Sequence, residues 1–179
     1  MTEDELKTLM RALEFAARKH KDQRRKDADA SPYINHPITL ASILVNEGHV
    51  TDLATICGAL LHDTIEDTRT TREELEAAFG AEIAEIVVEV TDDKALKKPQ
   101  RKQAQIDHAP HLSTRAKAVK LADKIANLRD VAACPPPDWP LARRQGYFDW
   151  ARQVIDGLRG SHPVLEAAFD AEYGRRPDS

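Results

Sequence analysis

Cysteine is scarce in this chain of 179 residues. There are two, Cys57 and Cys134, and they stand in no metal-binding or redox spacing. A disulfide architecture is therefore not expected, a reducing compartment is the default setting, and Cys57, inside an apolar run, reads as core. Excess positive charge is missing too. With 26 Lys and Arg against 30 Asp and Glu the formal net charge is −4, so no global basic field recruits nucleic acid or a membrane surface. A polyanionic ligand would need a local basic cluster. No apolar stretch is long enough to cross a bilayer, and the acidic, amphipathic start MTEDELKTLM is not a signal peptide. β-Branched runs such as EIVVEV sit inside helical patterning without turn-flanked alternation, so no sheet is predicted. Internal repeats and low-complexity segments are lacking. What remains is a soluble, cytoplasmic, all-α protein, 41% hydrophobic and 31% charged, whose length fits one domain over 1–179.

The helical period is clear along the chain. Leu6, Leu9, Leu13, Ala16 and Ala17 recur at three-to-four-residue spacing behind a Thr2/Glu5 capping box. His36-Pro37 predicts a helix start with His36 at the cap, and Gly48 ends that helix. Thr51-Asp52 opens the next, running through Ile56, Leu60 and Leu61. Thr71/Glu74 forms a second capping box, Gly80 closes that helix, and Ile83, Ile86, Val87 and Val90 make another. A charged stretch covers 91–105. Ser113 caps a helix through Leu128, Pro135-Pro136-Pro137 breaks the chain, and Asp138-Trp139-Pro140 starts a helix towards Gly160. A last helix follows Pro163. The roughly 40 residues after the triple proline are too few to fold alone, so they belong to the same bundle.

The stretch GALLHDTIED, residues 58–67, runs from apolar to charged. If the helix continues past Asp63, the i, i+4 spacing sets Glu66 over His62 and Asp67 over Asp63. His36 and Asp123 are further candidates from distant segments. Taken singly, His36 before a proline is a helix cap, and Asp123 between Leu121-Ala122 and Ile125 is a buried acid that Lys120, Lys124 or Arg129 would neutralise. Carboxylates near a helix C-terminus, as Asp63 and Asp67 would be, oppose the macrodipole and call for another role. Taken together, two imidazoles and two carboxylates make a mixed nitrogen and oxygen set suited to Mn²⁺, Fe²⁺ or Zn²⁺. Two basic clusters, Arg24-Arg25-Lys26 and Lys94, Lys97, Lys98, Arg101, Lys102, are the local positive patches of an otherwise acidic chain. Trp139, Phe148 and Trp150 read as core residues.

The segments HKDQRRKDADASPYINHP, LLHDTIEDT, VTDD and VKLADKIANLRD resemble the signatures of the HD-domain hydrolases of the RelA/SpoT family, most nearly the stand-alone metazoan-type SpoT homologues, or small alarmone hydrolases. The likeness runs from about residue 4 to 175. It implies a compact HD-domain bundle of about eight to ten helices, one Mn²⁺ per chain with Zn²⁺ or Fe²⁺ as substitutes, and a small nucleotide as the partner. It further implies removal of the 3′-pyrophosphate of guanosine tetra- or pentaphosphate, without a synthetase domain. On this resemblance His36, His62, Asp63 and Asp123 are the metal ligands, and Glu66 and Asp67 the acidic pair beside the attacking water. In the family pattern H-x-x-Q-x-R-K, His20, Gln23, Arg25 and Lys26 align, so Arg25 and Lys26 meet the base. Asn127, Arg143, Tyr147 and Lys98 complete the substrate contacts. The sequence departs from the family at Ala28-Asp29-Ala30-Ser31, where a glycine is common. Alternative readings keep the site and act as a phosphatase on the 2′-phosphate of NADPH or on another nucleotide, or bind the alarmone without catalysis. Which of Glu66 and Asp67 is the base, and the oligomeric state, stay open at this level.

Overall fold

A computed structural model describes residues 1–178. Among these residues there are ten α-helical segments and no sheet, only an isolated bridge between Arg24 and Pro32. The first is α1 (Glu3–Lys19), capped by the reciprocal Thr2/Glu5 bonds. Then α2 (Asn35–Ser42) runs into a π-helical turn at Ile43–Glu47. The buried α3 (Leu53–Leu61), capped by Asp52, precedes a single turn, α4 (Thr64–Asp67). Helices α5 (Arg72–Phe79) and α6 (Ala81–Val90) hinge on Gly80, whose φ of 88° needs glycine. α7 (Lys98–His108), α8 (Thr114–Ala133), α9 (Leu141–Asp156) and α10 (Pro163–Tyr173) complete the bundle.

Helices α3 and α8 form the centre. α3 packs against α1, α2, α6 and α8, and α8 also packs against α9 and α10. Their apolar faces supply Leu61, Leu121, Ile125 and Leu128 to one contiguous core, which Phe148 and Phe169 reach from α9 and α10. Arg129 clamps the outer side of α8, forking onto Glu47 at 2.7 and 2.8 Å and reaching Glu172 at 2.9 Å. It is thus a structural ion pair and no partner of Asp123.

Three expectations change. The helix at His36-Pro37 begins two residues earlier, at Asn35 instead of Pro37, so His36 lies inside the first turn and is buried instead of capping. The stretch 91–105, expected only as charged connection, carries most of α7. The helix after the triple proline starts at Leu141 and stops at Asp156.

Candidate active site

Of the two possibilities the sequence left, a helix ending near His62-Asp63 and one continuing past Asp63, the structure has the first: α3 stops at Leu61 and a separate turn, α4, follows. His62 Nδ1 donates to the Ala59 carbonyl at 2.7 Å, and the Thr64 hydroxyl donates to the Leu61 carbonyl at 2.7 Å. These side chains take carbonyls that continuing helical N–H groups would have used. The break has a chemical result. Because Nδ1 must carry the proton to donate, the lone pair of His62 is on Nε2, facing inward.

That nitrogen lies 2.8 Å from Asp63 Oδ2 but makes no hydrogen bond of acceptable angle, and it is fully buried. From α2, His36 stands with its ring 5.2 Å from that of His62 and its Nε2 3.3 Å from Asp123 Oδ1 on α8. Ligand atoms of His36, His62 and Asp123 all lie within 4.8 Å of one another. Asp63 adjoins this triad and accepts a hydrogen bond from the Tyr33 hydroxyl. Burial alone would raise the pKa of Asp63 and of Asp123, but the imidazoles beside Asp63, and Lys124 and His36 beside Asp123, hold both well below the usual carboxylate range. Two ionised acids and an imidazole nitrogen without a partner, converging in a buried pocket, are what a divalent cation requires. The residues fit such an ion.

The acids of the next turn diverge. Glu66 faces the cavity; its Oε2 accepts the Asp92 backbone N–H at 3.1 Å, and its other oxygen meets no protein donor among the described residues. Burial first, and then the charges of Asp63 and Asp92, push its pKa up to about 7. Asp67 has both oxygens occupied, by Gln23 Nε2 at 2.8 Å and by Lys94 Nζ at 2.5 Å. Gln23 is itself held by His20 at 2.6 Å, so the pattern H-x-x-Q ends on Asp67.

Above these groups is a cavity of about 340 Å³. Its floor is His36, His62, Asp63, Glu66 and Asp123; its opposite wall carries Lys98, Arg101 and Lys102 from α7 and Arg143 from α9. None of Lys98, Arg101 and Lys102 is paired with a carboxylate among the described residues. Burial and the neighbouring cations lower the pKa of Lys98 and Lys102, as expected where like charges gather without an anion. A second cavity of about 430 Å³ adjoins the first and shares Arg25, Asn127 and Tyr147 with it. Lys26 and Asp67 line only this second space. Arg25 bonds Asn127 Oδ1 at 3.4 Å and pairs with Asp130. Trp139 and Trp150, expected in the core, are half-buried against it and also line the first cavity, whereas Phe148 is core as expected.

The geometry can now be set beside known proteins. A model of the HD domain matches residues 12–148. The chain is 55% identical over 162 residues to guanosine-3′,5′-bis(diphosphate) 3′-pyrophosphohydrolase MESH1 of Xenopus tropicalis, covering 90% of each chain. It is 52% identical over 168 residues to the protein of that name from Homo sapiens, covering 94% of each. A solved structure described as a metazoan ortholog of SpoT that hydrolyzes ppGpp superposes with a TM-score of 0.92 at 46% identity, over 94% of this chain and 95% of that one. The chain belongs to the HD-domain hydrolase family, of the stand-alone metazoan SpoT type. HD domains are metal-dependent hydrolases, and the triad of His36, His62 and Asp123 can hold a metal ion.

Two parts of this HD-domain site, Tyr33 and Gln105, were not singled out from sequence, and Lys124 was expected only as one of three possible partners of Asp123, which it proves to be. Tyr33 was hidden in a loop until its hydroxyl met Asp63. Lys124 is a fully buried cation on α8, bonded to Asp123 Oδ2 at 3.0 Å; a lysine inside the apolar run from Leu121 to Ile125 was the available signal. Gln105 carries no signal of its own. The family loop without its glycine adopts a left-handed turn regardless: Ala30 has a φ of 47°, a conformation that costs a non-glycine residue about 1 kcal/mol. Asp27 ties the loop down by accepting from the Ser31 N–H at 2.9 Å and from its hydroxyl.

Proposed function

We propose that the protein is a Mn²⁺-dependent guanosine-3′,5′-bis(diphosphate) 3′-pyrophosphohydrolase, with residues 4–175 acting as one catalytic unit. The observation that carries the reading is the pairing of opposites within one cavity. Buried imidazoles and acids suited to a cation share the cavity with Lys98, Arg101 and Lys102, which have no carboxylate partner among the described residues and suit a substrate with several phosphates. The names of the relatives supply the substrate class.

In this reading His36, His62, Asp63 and Asp123 hold the ion, which when bound withdraws charge from a phosphoryl oxygen and makes water a better nucleophile. Glu66 is the base: its free oxygen orients the attacking water and takes its proton as the bond to the 3′-phosphorus forms. The bond from that phosphorus to the ribose 3′-oxygen breaks, giving the nucleoside diphosphate and pyrophosphate. Asp67, with both oxygens engaged by Gln23 and Lys94, positions the turn carrying Glu66. Arg25, Lys26 and Asn127 receive the base and ribose, and Lys98, Arg143 and Tyr147 the phosphates. A guanidinium can stack on the base plane.

The test is to strip the protein with chelator, restore Mn²⁺ and offer guanosine tetraphosphate and NADPH separately, resolving products by anion-exchange chromatography with Asp63→Asn as the blank. Metal-dependent release of GDP and pyrophosphate is expected. Faster release of phosphate from NADPH would assign the same site to that substrate, and no turnover of either with metal bound would leave a binding role.

A further inference from the structure

Helix α7 presents three cations to the cavity, yet it contributes no buried residue to the core. A third cavity, of about 210 Å³, also borders α7, lined by Asp92, Arg101, Ala104 and Gln105 among others. The helix is therefore supported at few points. One is the Trp150 indole, whose N–H donates to the Lys102 carbonyl at 3.1 Å. Another is Gln105, which lines both this cavity and the first and uses both ends of its amide. Its Nε2 donates to Asp92 Oδ2 at 2.5 Å, and its Oε1 accepts from Lys124 Nζ at 3.0 Å.

Each of those partners leads to the reacting centre. Lys124, with a side chain only 3% exposed, donates to Asp123 Oδ2, while the other oxygen of Asp123 faces His36. Asp92 donates its backbone N–H to Glu66. An unbroken polar chain thus runs Asp123, Lys124, Gln105, Asp92, Glu66, and its middle link is the one group on the cation-bearing helix. Only an amide suits that link. It must donate to a carboxylate and accept from an ammonium within one side chain; a carboxylate would repel Asp92, and an aliphatic group would leave Lys124 with an unmet donor in the interior.

We propose that Gln105 is a positioning residue that couples α7 to the metal centre: holding Asp123 fixed on its metal side steadies Lys124, and through Gln105 it steadies the helix that receives the phosphates. The inference rests on the reading of the site as a metal-dependent hydrolase of a multiply phosphorylated nucleotide. Coupling between sites is reciprocal, so ordering of α7 by substrate phosphates favours in turn the arrangement of Asp123 and Glu66. A polyphosphate ligand would then raise turnover as well as affinity.

Hydrogen exchange tests this without catalysis. In the wild-type protein, addition of Mn²⁺ to the chelator-stripped chain slows exchange of the α7 amides severalfold. In Gln105→Leu, and in Gln105→Glu, Mn²⁺ is retained at the same stoichiometry but α7 exchanges at its metal-free rate. Equal slowing in wild type and variants, or none in wild type with Mn²⁺ bound, overturns the coupling. Failure of every protein to retain Mn²⁺ overturns the metal reading and the coupling with it. Kinetics on guanosine tetraphosphate give the second arm. If Lys98→Ala and Gln105→Leu each lower kcat/KM about tenfold, their combination lowers it about tenfold again only if they act independently. The coupled helix predicts a double variant scarcely worse than either single one, and a full hundredfold loss sinks it. Slowed exchange in wild type, lost in the variants, without turnover of guanosine tetraphosphate would fault the substrate reading alone.

Discussion

On the floor of the cavity every candidate side chain hangs from or beside a packed helix, whereas α7, which also lines the cavity, has no fully buried residue. His36, His62 and Asp123 sit on or at the ends of α2, α3 and α8, three helices that pack on one another, and the two histidines are themselves buried. Lys98, Arg101 and Lys102 sit on α7, which meets α9 and little else. The difference suits the roles proposed for the two halves. A metal ion tolerates only small errors in ligand position, so its ligands belong on rigid elements. A phosphate-binding wall must first admit a large polyanion, and long cationic side chains on a lightly held helix adapt to it at little cost.

The largest effect should come from the rigid floor. Asp63→Asn and Asp123→Asn each remove the bound metal, and, at several kcal/mol of lost transition-state stabilisation, lower turnover by roughly a thousandfold or more. Metal content by elemental analysis alongside the rate checks this; full metal content in both variants would exclude their role as ligands. Next is Glu66→Gln, expected to lower kcat by about 10² to 10⁴ with metal retained, while Asp67→Asn loses about tenfold. Equal losses would undo the division between base and positioning acid.

Glu66 also marks the floor in the absence of metal. Its pKa is raised from 4.5 to about 7 by burial and the surrounding acids, so the native state holds a proton that the unfolded chain releases. The stability this contributes is full below about pH 4.5 and is lost as the pH rises through about 7. The stripped protein should therefore lose stability across that range by on the order of 1 kcal/mol, after allowance for the solvent reaching a partly exposed group. Urea titrations at pH 5 and pH 8 measure the decline, and Glu66→Gln should flatten it. On the opposite wall, Lys98→Ala or Lys102→Ala should raise KM several-fold and weaken its dependence on salt, while stability moves by less than about 0.5 kcal/mol.

The same contrast explains how much could be read from the sequence. The floor was legible because burial and function demand different residues: a histidine and acids inside apolar helical periodicity stand out, as do Asp52, Ser113 and Thr71 at their caps. The wall was not. α7 lacks an apolar stripe, so nothing in its pattern separated a helix from a charged connection, and a solvated charge run looks the same as a phosphate site. Trp139 and Trp150 were assigned to the core because aromatics usually bury. Here Trp150 also offers its ring to Lys102 at 4.6 Å and Lys124 at 4.4 Å, a cation–π arrangement that periodicity does not encode. That a helix ends near His62-Asp63 was legible, but not that the His62 and Thr64 side chains take the carbonyls freed there.

Glycine substitutions, whose effects fall on stability before activity, give the sharpest contrast between α3 and α9. On the floor, a Cβ at Gly58 in α3 would meet Ile86 Cγ2 at 2.6 Å, so Gly58→Ala must push α3 from α6 and should cost about 1 to 3 kcal/mol. Since His62 follows directly on α3, metal affinity should fall with it. At Gly146 in α9, near the cavity mouth, a Cβ would meet nothing within 4 Å. Gly146→Ala should then show only the helix preference of alanine, a gain of up to about 1 kcal/mol. Thermal unfolding and Mn²⁺ titration of the two variants test the comparison directly. Should Gly58→Ala leave metal affinity unchanged, the close packing of α3 would matter to the fold but not to the site, and the rigid floor would need another source.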